Sequence, residues 1–76
     1  MQFNMKRQFY QLEIRTLNGW EPTGFLLEGG FRQHLELVNK LQQFYPDHEV
    51  RIPRIAREEA DVLIQQGASL WIAPNV

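Results

Sequence analysis

The order of apolar and polar positions predicts an opening strand. In "YQLEIRTL" the apolar residues Tyr10, Leu12 and Ile14 alternate with polar ones, and a period of two is typical of a strand with one buried face. Asn18 and Gly19 follow. Asn-Gly between two apolar segments favours a type I′ hairpin turn, because both residues tolerate a positive φ.

The return strand of this hairpin is "WEPTGFLLE", and it is irregular. Pro22 has no N–H to donate, and Gly24 favours a bulge. We therefore expect its first half to lie at an edge of the sheet. The pair Gly29–Gly30 ends it.

Spacings of three and four predict two helices. Apolar residues recur at these spacings from Phe31 to Tyr45, as on one face of a helix. A second helix is predicted from Arg57 to Gln66, with Gly67 following as its C-cap. Between them, "EVRIPRI" predicts a strand that its proline interrupts, and "SLWIAP" predicts a last strand.

The order is therefore β-β-α-β-α-β. It indicates a small two-layer α+β sandwich with an N-terminal hairpin and two helices packed on one face of a mixed sheet. The chain has 76 residues, close to the smallest size at which one apolar core suffices. We expect residues 1–7 to be a frayed lead-in and residues 8–76 to form a single domain.

Composition indicates a folded protein and excludes several classes of site and location. Hydrophobic residues make up 43% of the chain and charged residues 22%, outside the composition that stays disordered. The absence of cysteine excludes disulfides and thiolate metal sites. No stretch has the length of a signal-peptide core or the roughly 18 apolar residues of a membrane span. We expect a soluble cytoplasmic protein with no membrane contact.

The chain is short of groups for catalysis. His34 and His48 lack the spacing of two ligands on one helical face, and Ser69 follows a helix end, where a short polar residue is ordinary turn chemistry. The glycines form no phosphate-binding pattern. We predict a protein that is not an enzyme, with no catalytic residue, metal, cofactor or small-molecule substrate.

Three aromatic residues are candidates for partner binding. Trp20 directly follows the hairpin turn, where a small domain has few neighbours to bury it. Trp71 alternates with Leu70 and Ile72, so if those two face the helices, Trp71 lies on the other face of the sheet. Phe9 is out of phase with the apolar positions of the first strand. Tryptophan is enriched in binding hot spots, although packing at a sheet edge would also account for these rings.

Arginines recur at steps of three in "RIPRIAREEA". Glu58 lies four residues after Arg54, and Asp61 lies four residues after Arg57. A helix that begins near residue 55 would bring each of these carboxylates close to its arginine. Side chains four apart on a helix are neighbours. We therefore expect the charge of these two arginines to be partly neutralised locally.

Arg51 and Arg15 remain as candidate contacts. Arg51 lies on the polar face of the third strand, where it either pairs with Glu13 across the sheet or contacts a partner. A formal net charge of −1 lacks the basic excess typical of nucleic-acid-binding proteins, so such binding would have to be local.

The runs "VRI" and "EEADVLIQQGASLWI" resemble strand-helix-strand units of small accessory proteins from phages and mobile elements. The resemblance covers about a third of the chain and rests on core and cap residues, so it implies no function or site. The residues themselves predict a non-enzymatic protein–protein interaction domain, either a homodimer or an adaptor or inhibitor of a larger protein. The alternative is local nucleic-acid binding through an arginine and aromatic surface.

Overall fold

A computed structural model describes residues 7–30 and 34–72 and confirms the predicted α+β class. A mixed sheet of five strands is combined with two helices in the order β-β-α-β-β-α-β. The predicted lead-in lies outside the described residues, apart from Arg7. The elements are β1 (Gln8–Thr16), β2 (Gly19–Gly29), α1 (His34–Gln42), β3 (Val50–Arg51), β4 (Arg54–Ile55), α2 (Arg57–Gln65) and β5 (Ser69–Ile72).

Strand β1 is hydrogen-bonded along both of its edges. On one side it pairs antiparallel with β2, and on the other it pairs antiparallel with β3 and β4. Strand β5 then joins the far side of β2 in parallel. The pairing with β5 begins at Phe25, so the first half of β2 lies at an edge, as its proline and glycine predict.

Strands β3 and β4 are two parts of one strand interrupted by a proline. They pair with β1 in a single unbroken register, which runs from Phe9 opposite Ile55 to Ile14 opposite Val50. The backbone N–H of Gln11 still donates to the carbonyl of Pro53, at 3.0 Å. Because Pro53 has no N–H, the ladder lacks its reciprocal bond there, and the predicted third strand is divided in two.

The hairpin turn differs from the predicted type I′. Among the described residues no position other than glycine has a positive φ, so Leu17 and Asn18 are both negative, and Gly19 has a φ of 102°. A glycine in this conformation directly after the turn is typical of a G1 bulge. The Asn-Gly pair therefore still marks a hairpin. In a type I′ turn both Asn18 and Gly19 would have a positive φ within the turn, whereas here only Gly19 does, and it follows the two turn residues.

A bulge at Gly24 divides β2 into two registers. Gln11 pairs with Leu26, whereas Glu13 pairs with Pro22, so three residues of β2 lie opposite Leu12. Gly24 has a φ of 88°, a conformation that costs other residues roughly 1–2 kcal/mol. The side chain of Thr23 bridges the gap: its Oγ1 donates to the carbonyl of Leu12 at 2.9 Å and accepts from the N–H of Phe25 at 3.3 Å.

Helix α1 covers one face of the sheet. Leu37 of α1 is buried in a cluster with four residues of the sheet, and Val38 and Leu41 pack against the same cluster. The sheet residues of this cluster are Tyr10, Leu12, Leu27 and Ile52. We call this side of the sheet the α1 face.

The opposite face is covered too, which differs from the expected packing of both helices on one side. Leu26 follows the opposite phase to Leu27, yet it is also buried, and Ala60 of α2 is buried outside the α1 cluster. The two parallel crossovers, β2–α1–β3 and β4–α2–β5, run in opposite directions across the sheet. Right-handed connections then place their helices on opposite faces.

The bridge at the bulge is open to a direct test. Thr23→Val keeps the shape of the side chain but removes the hydroxyl, so it leaves the Leu12 carbonyl and the Phe25 N–H without this partner. We expect the free energy of unfolding to fall by about 1 kcal/mol in a urea titration. Thr23→Ser retains the hydroxyl and serves as the control; equal losses in both variants would contradict the role of the hydroxyl.

Candidate interaction site

Trp71 lies on the α1 face of the sheet. In the parallel pairing of β2 and β5, Trp71 is registered with Leu27, and Leu70 with Leu26. Registered residues share a face, so Trp71 is beside the core cluster under α1. The sequence left open which of these residues face a helix, and the structure places α1 on the side of Trp71.

Between α1 and the β5 side of the sheet there is an open apolar cleft of about 550 Å³. Three of its aromatic side chains are substantially exposed: Phe44 at 70%, Phe25 at 48% and Trp71 at 43%. Lys40 is the charged residue among those that line the cleft. The wall of the cleft includes Phe25, Leu27, Leu37, Leu41, Phe44 and Trp71, and we call this group the apolar cleft.

Phe44 is held by the tight end of helix α1. After Gln42 the backbone continues in turns of the i→i−3 kind, and the N–H of Phe44 donates to the carbonyl of Leu41 at 3.0 Å. The side-chain amide of Gln42 donates to the carbonyl of Tyr45 at 2.9 Å and to that of His48 at 2.6 Å. These bonds fix the turn, so the exposed ring of Phe44 sits on a constrained segment. Phe44 follows the end of the helix, so helical spacing does not determine its direction.

Phe25 reaches the apolar cleft because of the bulge. Gly24 adds residues to β2 just before the strand begins to pair with β5, and the N–H of Phe25 is bonded to Thr23. Sequence reasoning did not single out Phe25, Phe44 or Lys40. A signal for Phe25 was present, because the Pro22 and Gly24 that favour a bulge immediately precede it.

Strand β5 forms an edge of the sheet in the described part of the chain. All four of its residues are exposed, including Leu70 at 37% and Ile72 at 58%. Successive residues of a strand direct their N–H and C=O to opposite sides, so two of the four present these groups away from β2. Ser69–Ile72 contains no charge and no proline, the two devices by which sheet edges are commonly protected.

The opposite edge of the sheet, formed by β3 and β4, is protected. It is broken at Pro53, each of its pieces is two residues long, and it carries Arg51 and Arg54. Interruptions, charges and short strands all discourage pairing with another chain. The two edges of this sheet therefore differ in their capacity to bind a further strand.

Trp20, Arg51 and Glu13 form a cluster on the face opposite α1. The guanidinium carbon of Arg51 lies 4.3 Å from the centroid of the Trp20 ring, a cation–π geometry. Arg51 Nε donates to Glu13 Oε1 at 2.7 Å, and Gln11 Nε2 donates to the other carboxylate oxygen at 2.8 Å. Arg51 thus pairs with Glu13 across the strands, and its guanidinium covers part of the Trp20 ring.

Arg15 also has a carboxylate partner. Its Nη1 lies 3.5 Å from Glu49 Oε1, and both side chains are well exposed. A pair of this kind contributes between zero and about 1 kcal/mol to stability. Arg15, Arg51 and Trp20 are therefore close together on one face, whereas Trp71 lies on the other.

Phe9 borders a depression at the far end of β1, which we call the basic depression because Arg7, Arg54 and Arg57 line it together with Glu28. Within residues 7–30 and 34–72 neither Arg54 nor Arg57 is in an ion pair, so the expected neutralisation by Glu58 and Asp61 is wrong. Arg54 belongs to β4, because α2 begins at Arg57 rather than near residue 55, and the order Arg then Asp is the weaker orientation along a helix.

Other chemistry is sparse in the described residues. No group of three or more His, Asp or Glu side chains there could hold a metal ion, and no helix of that part is long and apolar enough to cross a membrane. His48 is exposed in the loop before β3, and Ser69 opens β5. In a comparison with known proteins, no family model, curated protein or solved structure matches this chain.

The cation–π contact predicts a change in fluorescence. In a Trp71→Phe background, which leaves Trp20 as the reporter, Arg51→Ala removes the guanidinium from the ring. We expect a red-shifted emission and stronger quenching by iodide, because water gains access to the indole. Arg54→Ala is the matched control and should leave the spectrum unchanged. Identical spectra for the two variants would argue against the contact in solution.

Proposed function

We propose that this chain is a non-enzymatic protein–protein interaction domain that binds its partner at the apolar cleft and the adjacent edge of β5. The supporting observation is the exposure of Phe44, Phe25 and Trp71 around one cleft beside an unprotected strand edge. The partner is either a second copy of the chain or a larger protein for which this domain is an adaptor or inhibitor.

Exposed aromatic rings grouped in this way favour association. Scattered apolar residues are normal on a protein surface, but a contiguous group next to polar residues marks an interaction site. Each aromatic side chain contributes about 150–250 Å² of surface when buried. The constrained turn at Phe44 lowers the entropy lost on binding, because the ring is already positioned.

The edge of β5 supplies the second part of the site. A strand added there would form main-chain hydrogen bonds with β5 and direct alternate side chains towards the apolar cleft, the binding mode known as β-augmentation. Lys40 at the cleft offers a cation to a partner carboxylate. Main-chain bonds provide affinity in this mode, and the cleft provides selectivity.

The second candidate function is local nucleic-acid binding, and one observation favours it. Arg54 and Arg57 lack ion-pair partners in the described part of the chain and line the same depression as Phe9. Unpaired cations beside an aromatic ring can contact phosphates and stack on a base. Arg15 and Arg51 contribute less to this candidate, because carboxylates already bind them.

The apolar cleft can be tested by truncation of its aromatic side chains. Phe44→Ala and Trp71→Ala should each weaken association at least 10-fold, because truncation of a buried aromatic anchor commonly costs 2 kcal/mol or more. Association is measured as the concentration dependence of the solution mass and as the recovery of specific partners by affinity capture. Val62→Ala on α2, which also alters an exposed apolar residue, is the control. A strictly monomeric protein that captures nothing would refute the proposed function.

The nucleic-acid candidate can be tested at the basic depression. Single-stranded DNA or RNA should bind with an affinity that falls linearly with salt on logarithmic axes. The double variant Arg54→Ala/Arg57→Ala should bind at least 10-fold more weakly, whereas Arg15→Ala should have a small effect. The measurement is fluorescence anisotropy of labelled oligonucleotides. Absence of binding at low salt would remove this candidate.

A further inference from the structure

We infer that the occupant of the β5 edge is a second copy of this chain, with the two β5 strands paired antiparallel about a two-fold axis. The inference rests on the proposed function and makes it specific: two five-stranded sheets join into one continuous sheet.

The edge favours another copy because β5 is uncharged and apolar on both sides. Leu70 and Ile72 project from one face and Trp71 from the other. A charged strand would repel its own copy when paired with itself, but Ser69–Ile72 carries no charge. The formal net charge of −1 on the whole chain likewise gives little repulsion between two copies.

The two-fold axis determines the register. It stands perpendicular to the joined sheet, so each residue keeps its face and must pair with a residue of the same face. An axis through Trp71 places the two Trp71 side chains opposite each other and places Leu70 of each copy opposite Ile72 of the other. An axis through Leu70 would instead set Ser69 opposite Trp71. The first register matches apolar side chains on both faces.

The exposed apolar surface is sufficient for a modest dimer. With side-chain areas of roughly 150–250 Å², the exposed parts of Leu70, Trp71, Ile72, Phe25 and Phe44 amount to about 500 Å² in each copy. Two copies would bury at most about 1,000 Å² of this surface, near the lower limit for a specific interface. We therefore expect a dimer that dissociates at low concentration.

A charge exchange tests the register. Leu70→Lys alone and Ile72→Glu alone each place charges opposite apolar side chains, so each variant should dimerise at least 10-fold more weakly than the unaltered chain. An equimolar mixture of the two variants places the ammonium opposite the carboxylate and the remaining Leu70 opposite the remaining Ile72. Dimers should therefore reappear in the mixture. Sedimentation velocity gives the mass, and circular dichroism verifies that each variant is folded.

Leu17→Lys is the matched control, since it introduces the same charge at an exposed apolar residue of the hairpin turn, and its dimer should persist. A monomer at all concentrations, dimers insensitive to the β5 charges, or a mixture that stays monomeric would each overturn the inference. These failures are distinguishable from failure of the proposed function. If partner capture still depends on Phe44, the proposed interaction site stands with another occupant.

Discussion

The pairing of β1 along both edges is the constraint on which the rest of the structure depends. Its antiparallel bonds to β2 and to β3–β4 hold together segments that are up to 46 residues apart in the chain, as for Phe9 and Ile55. Tyr10 and Leu12 of this strand are buried in the cluster that receives α1. A small domain with one limited core depends strongly on such non-local pairing, because few other contacts compensate for the entropy of closing these loops.

The bulge at Gly24 connects the fold to the interaction site. It lets β2 pair with β1 in two registers, and Thr23 satisfies backbone groups that the change of register leaves open. Directly afterwards, β2 presents Phe25 to the apolar cleft and begins to pair with β5. A local irregularity of the strand thus positions the part of the sheet where we propose that the partner binds.

Much of the fold is predictable from the sequence because its signals are local. The alternation at Tyr10, Leu12 and Ile14 indicates β1, and the apolar spacing predicts the start of α2 at Arg57, although the expected pairing of the arginines assumed a start near residue 55. The direction of Trp71 depends on which helix covers which face, and that follows from the order of strands in the sheet. The pairing of Arg51 with Glu13 was one of two alternatives. Phe44 follows the apolar spacing of the predicted helix, but α1 ends at Gln42, so the ring lies beyond the helix and is exposed.

The proline in the β3–β4 edge has a consequence for the size of any assembly. A sheet with two equally receptive edges adds copies at both ends and grows into an open fibre, since nothing ends the addition. Here Pro53 and the arginines on either side of it prevent the β3–β4 edge from pairing with a further strand. In the dimer that we propose, β5 is used in both copies, so growth would stop at two copies because the edge at Pro53 does not accept a further strand.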